Sequence, residues 1–417
     1  MLLGDEQRYL DTGLAIAAGG DWHPSPLWPP MQSVLIALFA KIFTNPLLPL
    51  QIFQYSLLLL SGFILKDIVF RETNNKLAAQ LALAIMILYP SWLAYSQYLW
   101  PEVIHVTLFV AIIWINRYQY HSYKWMLLSG FLLGLAILFK SLLLLFVPFL
   151  YLPLLLNLRL DKALLKMTLS ILVATLVIAP AAIKAHKMTG SWMVSNSSMF
   201  NLWVGLNDNK RQSFTNDIAA PMYHTYMDSA DTDAQRNLIA KDNAIEKIQR
   251  DGYINTLVNQ LSKQYFRLFD YQSFFSQQFQ GEKNDNYVNK YKHRYDEPLV
   301  AIVLVFNNIF YLFGLIAMSF GLIVSIKKSV IAQQFALFLL YTLALFALLH
   351  VKSRFRIPLQ PLMAFYAGYL YCYLNSNNWS LTKFVENRKY VTLSVVSVIF
   401  ITVLVFSAKL LDKYFPI

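Results

Sequence analysis

Apolar residues run along this chain in long blocks, with polar residues gathered in short gaps between them. Blocks at roughly 46–68, 77–99, 103–117, 125–139, 141–157 and 163–185, and again at 298–325, 330–350, 357–375 and 390–410, approach the ~20 residues that a helix needs to cross a ~30 Å hydrocarbon core. The pattern predicts an all-α polytopic membrane protein with about ten transmembrane helices. Residues 1–29 read as a loop with helical potential across Gln7–Ala18, ended by Gly19-Gly20. Pro29-Pro30 then opens Met31–Phe43, which is short for a span and reads as an interfacial or re-entrant helix.

Segment 187–297 breaks the series. It carries turn chemistry at Gly205-Leu206-Asn207-Asp208-Asn209 and an amphipathic pattern from Ala234 to about Phe269. Its tyrosines and phenylalanines near 265–275 suit a membrane interface. The expected organisation is an acidic first loop (1–30), an N-terminal transmembrane module (31–186), an extracytoplasmic loop subdomain (187–297) and a C-terminal transmembrane module (298–417).

Composition agrees with the pattern. Of 417 residues 57% are apolar and only 14% charged, too few charges to clothe a soluble surface. The formal charge of +12 would suggest nucleic acid in a soluble protein, whereas here it points to cytoplasmic loops rich in Lys and Arg. Alternate gaps divide cleanly. One set holds Lys66, Arg71 and Lys76; Arg117 and Lys124; Arg159, Lys162 and Lys166; Lys327 and Lys328; Lys383, Arg388 and Lys389. The other holds the acidic first loop, Trp100-Pro101-Glu102, Phe139-Lys140, segment 187–297 and the turn around 350–356. The first set is expected to be cytoplasmic and the second outward. The single cysteine, Cys372, falls in an apolar run, so neither a disulfide framework nor a CxxC metal site is expected. Asp5 and Glu6 interrupt any signal-peptide core near the start.

The outward set gathers the candidate chemistry. Asp5 and Glu6 begin the first loop, and Arg8 is one helical turn from Asp5, where it could pair and keep the carboxylate ionised. Lys140 ends one span and starts the next, either snorkelling to the interface or facing a site. Arg354 and Arg356 flank Phe355 against the positive-inside bias, and guanidinium forks suit phosphate oxygens. Glu102 and His105 are one turn apart, a spacing that permits a divalent metal without supporting one. His23 and His350 read as interfacial polar residues, and Gly130 and Gly134 as a close helix contact.

In these residues the chain resembles the GT-C superfamily of membrane glycosyltransferases that take sugar from a polyprenyl phosphate, most of all the protein O-mannosyltransferase and lipid A aminoarabinose transferase type. The likeness runs from Asp5 to about Tyr371. It rests on Asp5-Glu6-Gln7-Arg8-Tyr9 with Gly20-Asp21-Trp22 and Pro29-Pro30, and on Tyr89-Pro90 with Glu102. It rests further on Gly130, Gly134-Leu135-Ala136, Leu138 and Lys140, and on Arg354-Phe355-Arg356-Ile357-Pro358-Leu359 with Pro361. Two departures stand out. Family members carry a transmembrane helix before the acidic loop, so about 20 mostly apolar residues are expected upstream of Asp5. Leu27-Trp28 also stands where the aminoarabinose branch has Glu-Lys before Pro-Pro, so that substrate is not supported.

The residues also fit the chemistry. A sugar on a lipid phosphate has a good leaving group, since the released phosphate has a second pKa near ~6. One carboxylate as general base and fixed cations on the departing phosphate then suffice. The expected roles are Asp5 as base, Arg8 orienting it and Glu6 in support, with Tyr9 and Glu102 as further support. Lys140, Arg354 and Arg356 hold the lipid phosphate. The resemblance implies inversion at the anomeric carbon, a lipid, glycan or protein acceptor, and a bacterial inner membrane with the site facing the periplasm. Membrane lipids are the other expected partners, and nucleic acid is not one. Rival readings are a transporter or flippase of lipid-linked oligosaccharides, which would want polar residues at span midplanes, and a polysaccharide polymerase or ligase.

Overall fold

The computed structural model describes residues 5–212, 218–277, 298–379 and 388–415. Gly4 of the acidic motif, Lys383 and the end of the loop segment, 278–297, lie outside the described residues, as do the side chains of Arg388 and Lys389. Among the described residues every regular element is helical.

Helix α1 (Glu6–Ala17) ends just before Gly19, whose φ of +93° suits only a residue without a side chain. Helix α2 (Met31–Ile42) starts directly after Pro30 and packs along α1. Helix α3 (Leu47–Thr73) turns at Asn74, in the left-handed conformation, and the Asn75 side chain caps α4 (Lys76–Leu88) by accepting from the Ala78 N–H at 3.0 Å. The predicted span 77–99 is broken here. Pro90 disfavours helix at Tyr89, so the chain bends into the short α5 (Pro90–Tyr95) and an irregular stretch to Pro101.

Helices α6 (Glu102–Tyr118) and α7 (Tyr123–Phe139) follow as expected. The predicted span 141–157 is instead a 3-10 turn (Ser141–Phe146) and two short helices, α8 (Val147–Leu150) and α9 (Leu152–Asn157). Pro148 and Pro153 each remove a donor N–H, which leaves carbonyls unpaired in an apolar setting. Buried amides answer them: Asn116 donates to the Leu150 carbonyl at 2.9 Å, and Gln334 to those of Phe149 and Leu150 at 3.0 and 3.2 Å. Non-helical backbone is tolerated in a bilayer only where protein supplies such partners.

Helix α10 (Leu160–Thr189) lies along α7. A Cβ at Gly130 would come 2.2 Å from the Ser170 carbonyl oxygen, and one at Gly134 2.6 Å from Val177, so the two glycines let these backbones touch. In the segment expected to face outward, the described residues form α11 (Ser197–Asn207), α12 (Ala219–Asp228), α13 (Asp233–Asp251), α14 (Tyr253–Phe269) and α15 (Phe274–Gln277). Gly252, at φ +81°, divides the predicted amphipathic stretch in two. The turn expected at 205–209 begins only at Asp208, and Gly205 serves close packing, its Cβ position being 2.7 Å from the His350 nitrogen. Of the aromatics near 265–275, Phe269 and Phe274 are buried in the core, where α14 packs onto the bundle, whereas Tyr271 is exposed.

Helices α16 (Pro298–Ser325), α17 (Val330–Phe346), α18 (Gln360–Ser376), α19 (Arg388–Phe406) and α20 (Ala408–Tyr414) complete the described chain. A 3-10 turn at Ser353–Leu359 precedes α18. By length and composition α3, α10 and α16 can each cross a membrane alone, and Val391–Phe406 with α20, bent by 66°, is a fourth candidate. The other predicted spans are shorter or broken apolar helices. The protein is an all-α polytopic membrane protein.

Glu72 accepts from Arg117 at 3.1 Å, Tyr118 at 2.9 Å and Ser329 at 2.6 Å, joining three gaps of the basic set. Arg211 of the outer segment pairs with Asp412 of α20 at 3.3 Å, so α20 shares the segment's end of the bundle.

Candidate functional site

The irregular stretch before α6 is pinned by side chains from three helices. Gln54 donates to the carbonyls of Ser96 and Tyr98 at 3.1 and 2.7 Å, Gln51 to Gln97 at 2.8 Å and Gln32 to Leu99 at 2.9 Å. Glu6, fully buried, accepts from the Leu99 N–H at 2.9 Å. Glu6 therefore does not face solvent or a ligand. It fastens the first loop to the turn that presents Trp100 and Glu102, a supporting role exerted through position.

Above this turn lies a cavity of about 960 Å³ bordered by Asp5, Tyr9, Glu102, Lys140 and Arg354. The residues that converge come from four stretches far apart in sequence. Arg354 donates to Asp5 Oδ2 at 2.5 Å, and Lys140 to Glu102 Oε1 at 3.1 Å. Each cation also sits over a ring: the Arg354 guanidinium is 4.8 Å from the centre of Trp100, and the Lys140 ammonium 4.9 Å from that of Phe355. Among the described residues that line the cavity, Arg354 Nε and Glu102 Oε2 are buried polar atoms without a protein partner, as are the indole nitrogens of Trp28 and Trp100. The Tyr9 hydroxyl, beside both carboxylates, has its pKa raised, chiefly by burial. Outside the bundle, burial lowers His23 to about 4 and Lys263 to about 8.

The lining mixes apolar and polar side chains: Leu142, Leu144 and Leu145 of the 3-10 turn with Leu345 and Phe346 of α17, and Ser195, Ser198 and Asn201 with Tyr223 and His224; Leu145 is 69% exposed.

Several expectations need correction. Arg8 does not hold Asp5. Its guanidinium donates to the Tyr223 hydroxyl and stacks over that ring at 4.9 Å, tying α1 to α12, while Arg354 takes the carboxylate. Arg356 does not reach the cavity. It is buried, donates to the carbonyls of Leu268 and Asp270 and lies 4.2 Å over the Tyr311 ring, because the 3-10 turn points alternate residues in different directions. Lys140 does more than snorkel, since it is paired with Glu102. His105 faces away from Glu102, with Nδ1 3.0 Å from the Ala136 carbonyl, and among the described residues no three His, Cys, Asp or Glu side chains gather. His23 and His350 are buried rather than interfacial. Sequence reasoning passed over Trp100 and Tyr223. Trp100 stood beside Pro101-Glu102 in an outward turn, a usable signal, whereas Tyr223 had none.

The sequence model of the family described as dolichyl-phosphate-mannose-protein mannosyltransferase matches residues 27–183. No curated protein sequence matches the chain. The crystal structure of the Archaeoglobus fulgidus oligosaccharyltransferase tethered to an acceptor peptide shares the fold, with a TM-score of 0.51 at 15% identity, over 98% of this chain and 50% of that one. The same organism's AglB, with an inhibitory peptide and a dolichol-phosphate, gives 0.47 at 14% identity, over 96% and 50%. ArnT from Cupriavidus metallidurans, bound to undecaprenyl phosphate, gives 0.40 at 13%, over 93% and 76%. The chain thus spans about half the length of the archaeal proteins it matches. Over residues 27–183 the chain is similar to that mannosyltransferase family, and its fold is shared with the archaeal oligosaccharyltransferase.

Proposed function

We propose that the protein transfers a sugar from a polyprenyl-phosphate donor to a hydroxyl of a lipid, glycan or protein acceptor. The observation that carries this reading is Arg354: one nitrogen holds Asp5, while Nε stays buried, unpartnered and at the cavity. A donor phosphate oxygen would satisfy it, with Lys140 as second cation. The leucines lining the cavity suit a prenyl chain, and its serines and Asn201 a sugar and its acceptor. The matched family's description names a lipid-phosphate mannose donor, and the archaeal enzyme is tethered to an acceptor peptide, which favours the same reaction class.

In the reaction Asp5 takes the proton from the acceptor hydroxyl as its oxygen attacks the anomeric carbon. The bond from that carbon to the phosphate oxygen breaks, and the electron pair leaves on a phosphate held by Arg354 and Lys140. Attack opposite the leaving group inverts the carbon. Tyr9 borders both carboxylates, and Glu102 keeps Lys140 in place. The site is read as outward-facing, in a bacterial inner membrane with the cavity toward the periplasm, because the basic gaps gather around Glu72.

The test is transfer of radiolabel from purified polyprenyl-phosphate sugars, mannose first, to membrane extracts. A new glycosidic linkage is the expected product. Movement of label across vesicles without a new bond would replace this reading by transport.

A further inference from the structure

The turn that carries Arg354 is held from outside the transmembrane bundle. Val351 gives both of its backbone groups to side chains of one helix: its N–H donates to Gln264 Oε1 at 3.1 Å, and its carbonyl accepts from Arg267 Nε at 2.9 Å. Gln264 and Arg267 are three apart on α14, hence on one face, and both are fully buried. The adjacent His350 N–H donates to the Asn201 carbonyl of α11 at 2.9 Å. Behind this grip the Arg267 guanidinium pairs with the Asp208 carboxylate and donates to the Lys210 carbonyl at 2.9 Å. Lys263 closes the cluster, donating to the Asp208 carbonyl at 2.6 Å.

A buried ion pair is a poor source of net stability, because desolvation offsets its attraction, but it is strongly directional. Here it points a guanidinium at one carbonyl, three residues before Arg354. The Arg354 side chain has little slack: it must clear the Trp100 ring and meet Asp5 at once. A shift of the Val351 backbone would therefore be passed on to the site, where small misplacements are costly.

We propose that Gln264 and Arg267, backed by Asp208, are positioning residues that set where Arg354 meets Asp5 and the donor phosphate. The outer segment is then part of the site's machinery and not only a cover. The phosphate half of this inference rests on the function proposed above, whereas the Asp5 half does not.

The experiment is a double-mutant analysis in detergent, using Gln264→Met, which removes the acceptor for the Val351 N–H. Binding of undecaprenyl phosphate is measured in wild-type and Arg354→Ala backgrounds. Gln264→Met should weaken binding about tenfold in the first background and not at all in the second. Equal losses in both backgrounds, or no loss in the first, would overturn the proposal. A second readout needs no ligand: the coupling between Asp5→Asn and Arg354→Gln in melting temperature should vanish when Gln264 is Met. If wild type and Arg354→Ala bind the lipid alike, the proposed function fails while this coupling still decides the positioning role. Persistence of the coupling in Gln264→Met sinks it.

Discussion

At the scale of single residues, the site is two ion pairs that share a cavity, and each substitution should fail in its own way. Asp5→Asn keeps a hydrogen-bond acceptor for Arg354 but loses basicity, so transfer should fall by about 10²–10⁴ while lipid-phosphate binding survives. Full turnover by Asp5→Asn would remove the proposed base. Arg354→Ala should weaken donor binding as well as turnover, since a phosphate partner acts in both states. Lys140→Ala leaves the buried Glu102 carboxylate unpaired, so it should lower melting temperature and donor binding together. Adding Glu102→Gln should restore the first and not the second; recovery of both would show that Lys140 serves packing alone. His23 gives a pH dependence of another kind. Its folded pKa, about 4, lies below the ordinary 6.5, so the unfolded chain takes up the proton first as pH falls. Its stabilising contribution is complete above about pH 6.5 and is lost progressively toward pH 4. Melting temperatures across that window should fall less steeply for His23→Gln than for wild type.

Among the elements, contact between helices depends on glycines at a few crossings. A methyl at Gly321 of α16 would sit 2.0 Å from the Tyr366 carbonyl oxygen of α18, and one at Gly130 of α7 2.2 Å from that of Ser170. Backbone cannot yield as a side chain can, so Gly321→Ala and Gly130→Ala should each destabilise by about 1–3 kcal/mol. Gly314→Ala meets only the flexible Met363 side chain at 3.4 Å and should stay within about 0.5 kcal/mol. Thermal melts of the three variants check the ordering, and a neutral Gly321→Ala would show that α16 and α18 can separate freely. Gly130 and Gly134 were visible in sequence as a helix contact, whereas Gly314 and Gly321 carried no such pattern. The breaks at Pro90, Pro148 and Pro153 were legible too, but hydropathy averages over a window and smooths such interruptions into one span.

For the whole molecule, orientation is the quantity on which the functional reading depends. With Cys372 replaced by Ala, a cysteine at Tyr253, which is 74% exposed on the outer segment, should react with a membrane-impermeant reagent in intact cells. One at Lys124, in the basic set, should react only after permeabilisation. The reverse pattern would put the cavity in the cytoplasm and remove a periplasmic acceptor from consideration.

What the chain decided on its own was the class of molecule and the approximate place of its unbroken helices. Hydrophobic length, alternating Lys and Arg, and proline and glycine positions act locally, so they can be read without knowing what folds against what. The same holds for the candidates Asp5, Glu6, Arg8, Tyr9, Glu102, Lys140, Arg354 and Arg356, nearly all of them charges conspicuous beside apolar runs. The pairing of those charges was decided by tertiary structure. Arg8 is nearest to Asp5 in sequence, yet Arg354 holds it, and Arg356 turns inward although it is only two residues away. Pairing depends on which turn is pinned beside which, and here the buried side chains of Glu6, Gln54, Gln264 and Arg267 do the pinning across gaps of 42 to 93 residues. Those polar residues looked like ordinary interruptions of helical faces, because a hydrogen bond to a distant backbone leaves no periodic trace in a sequence.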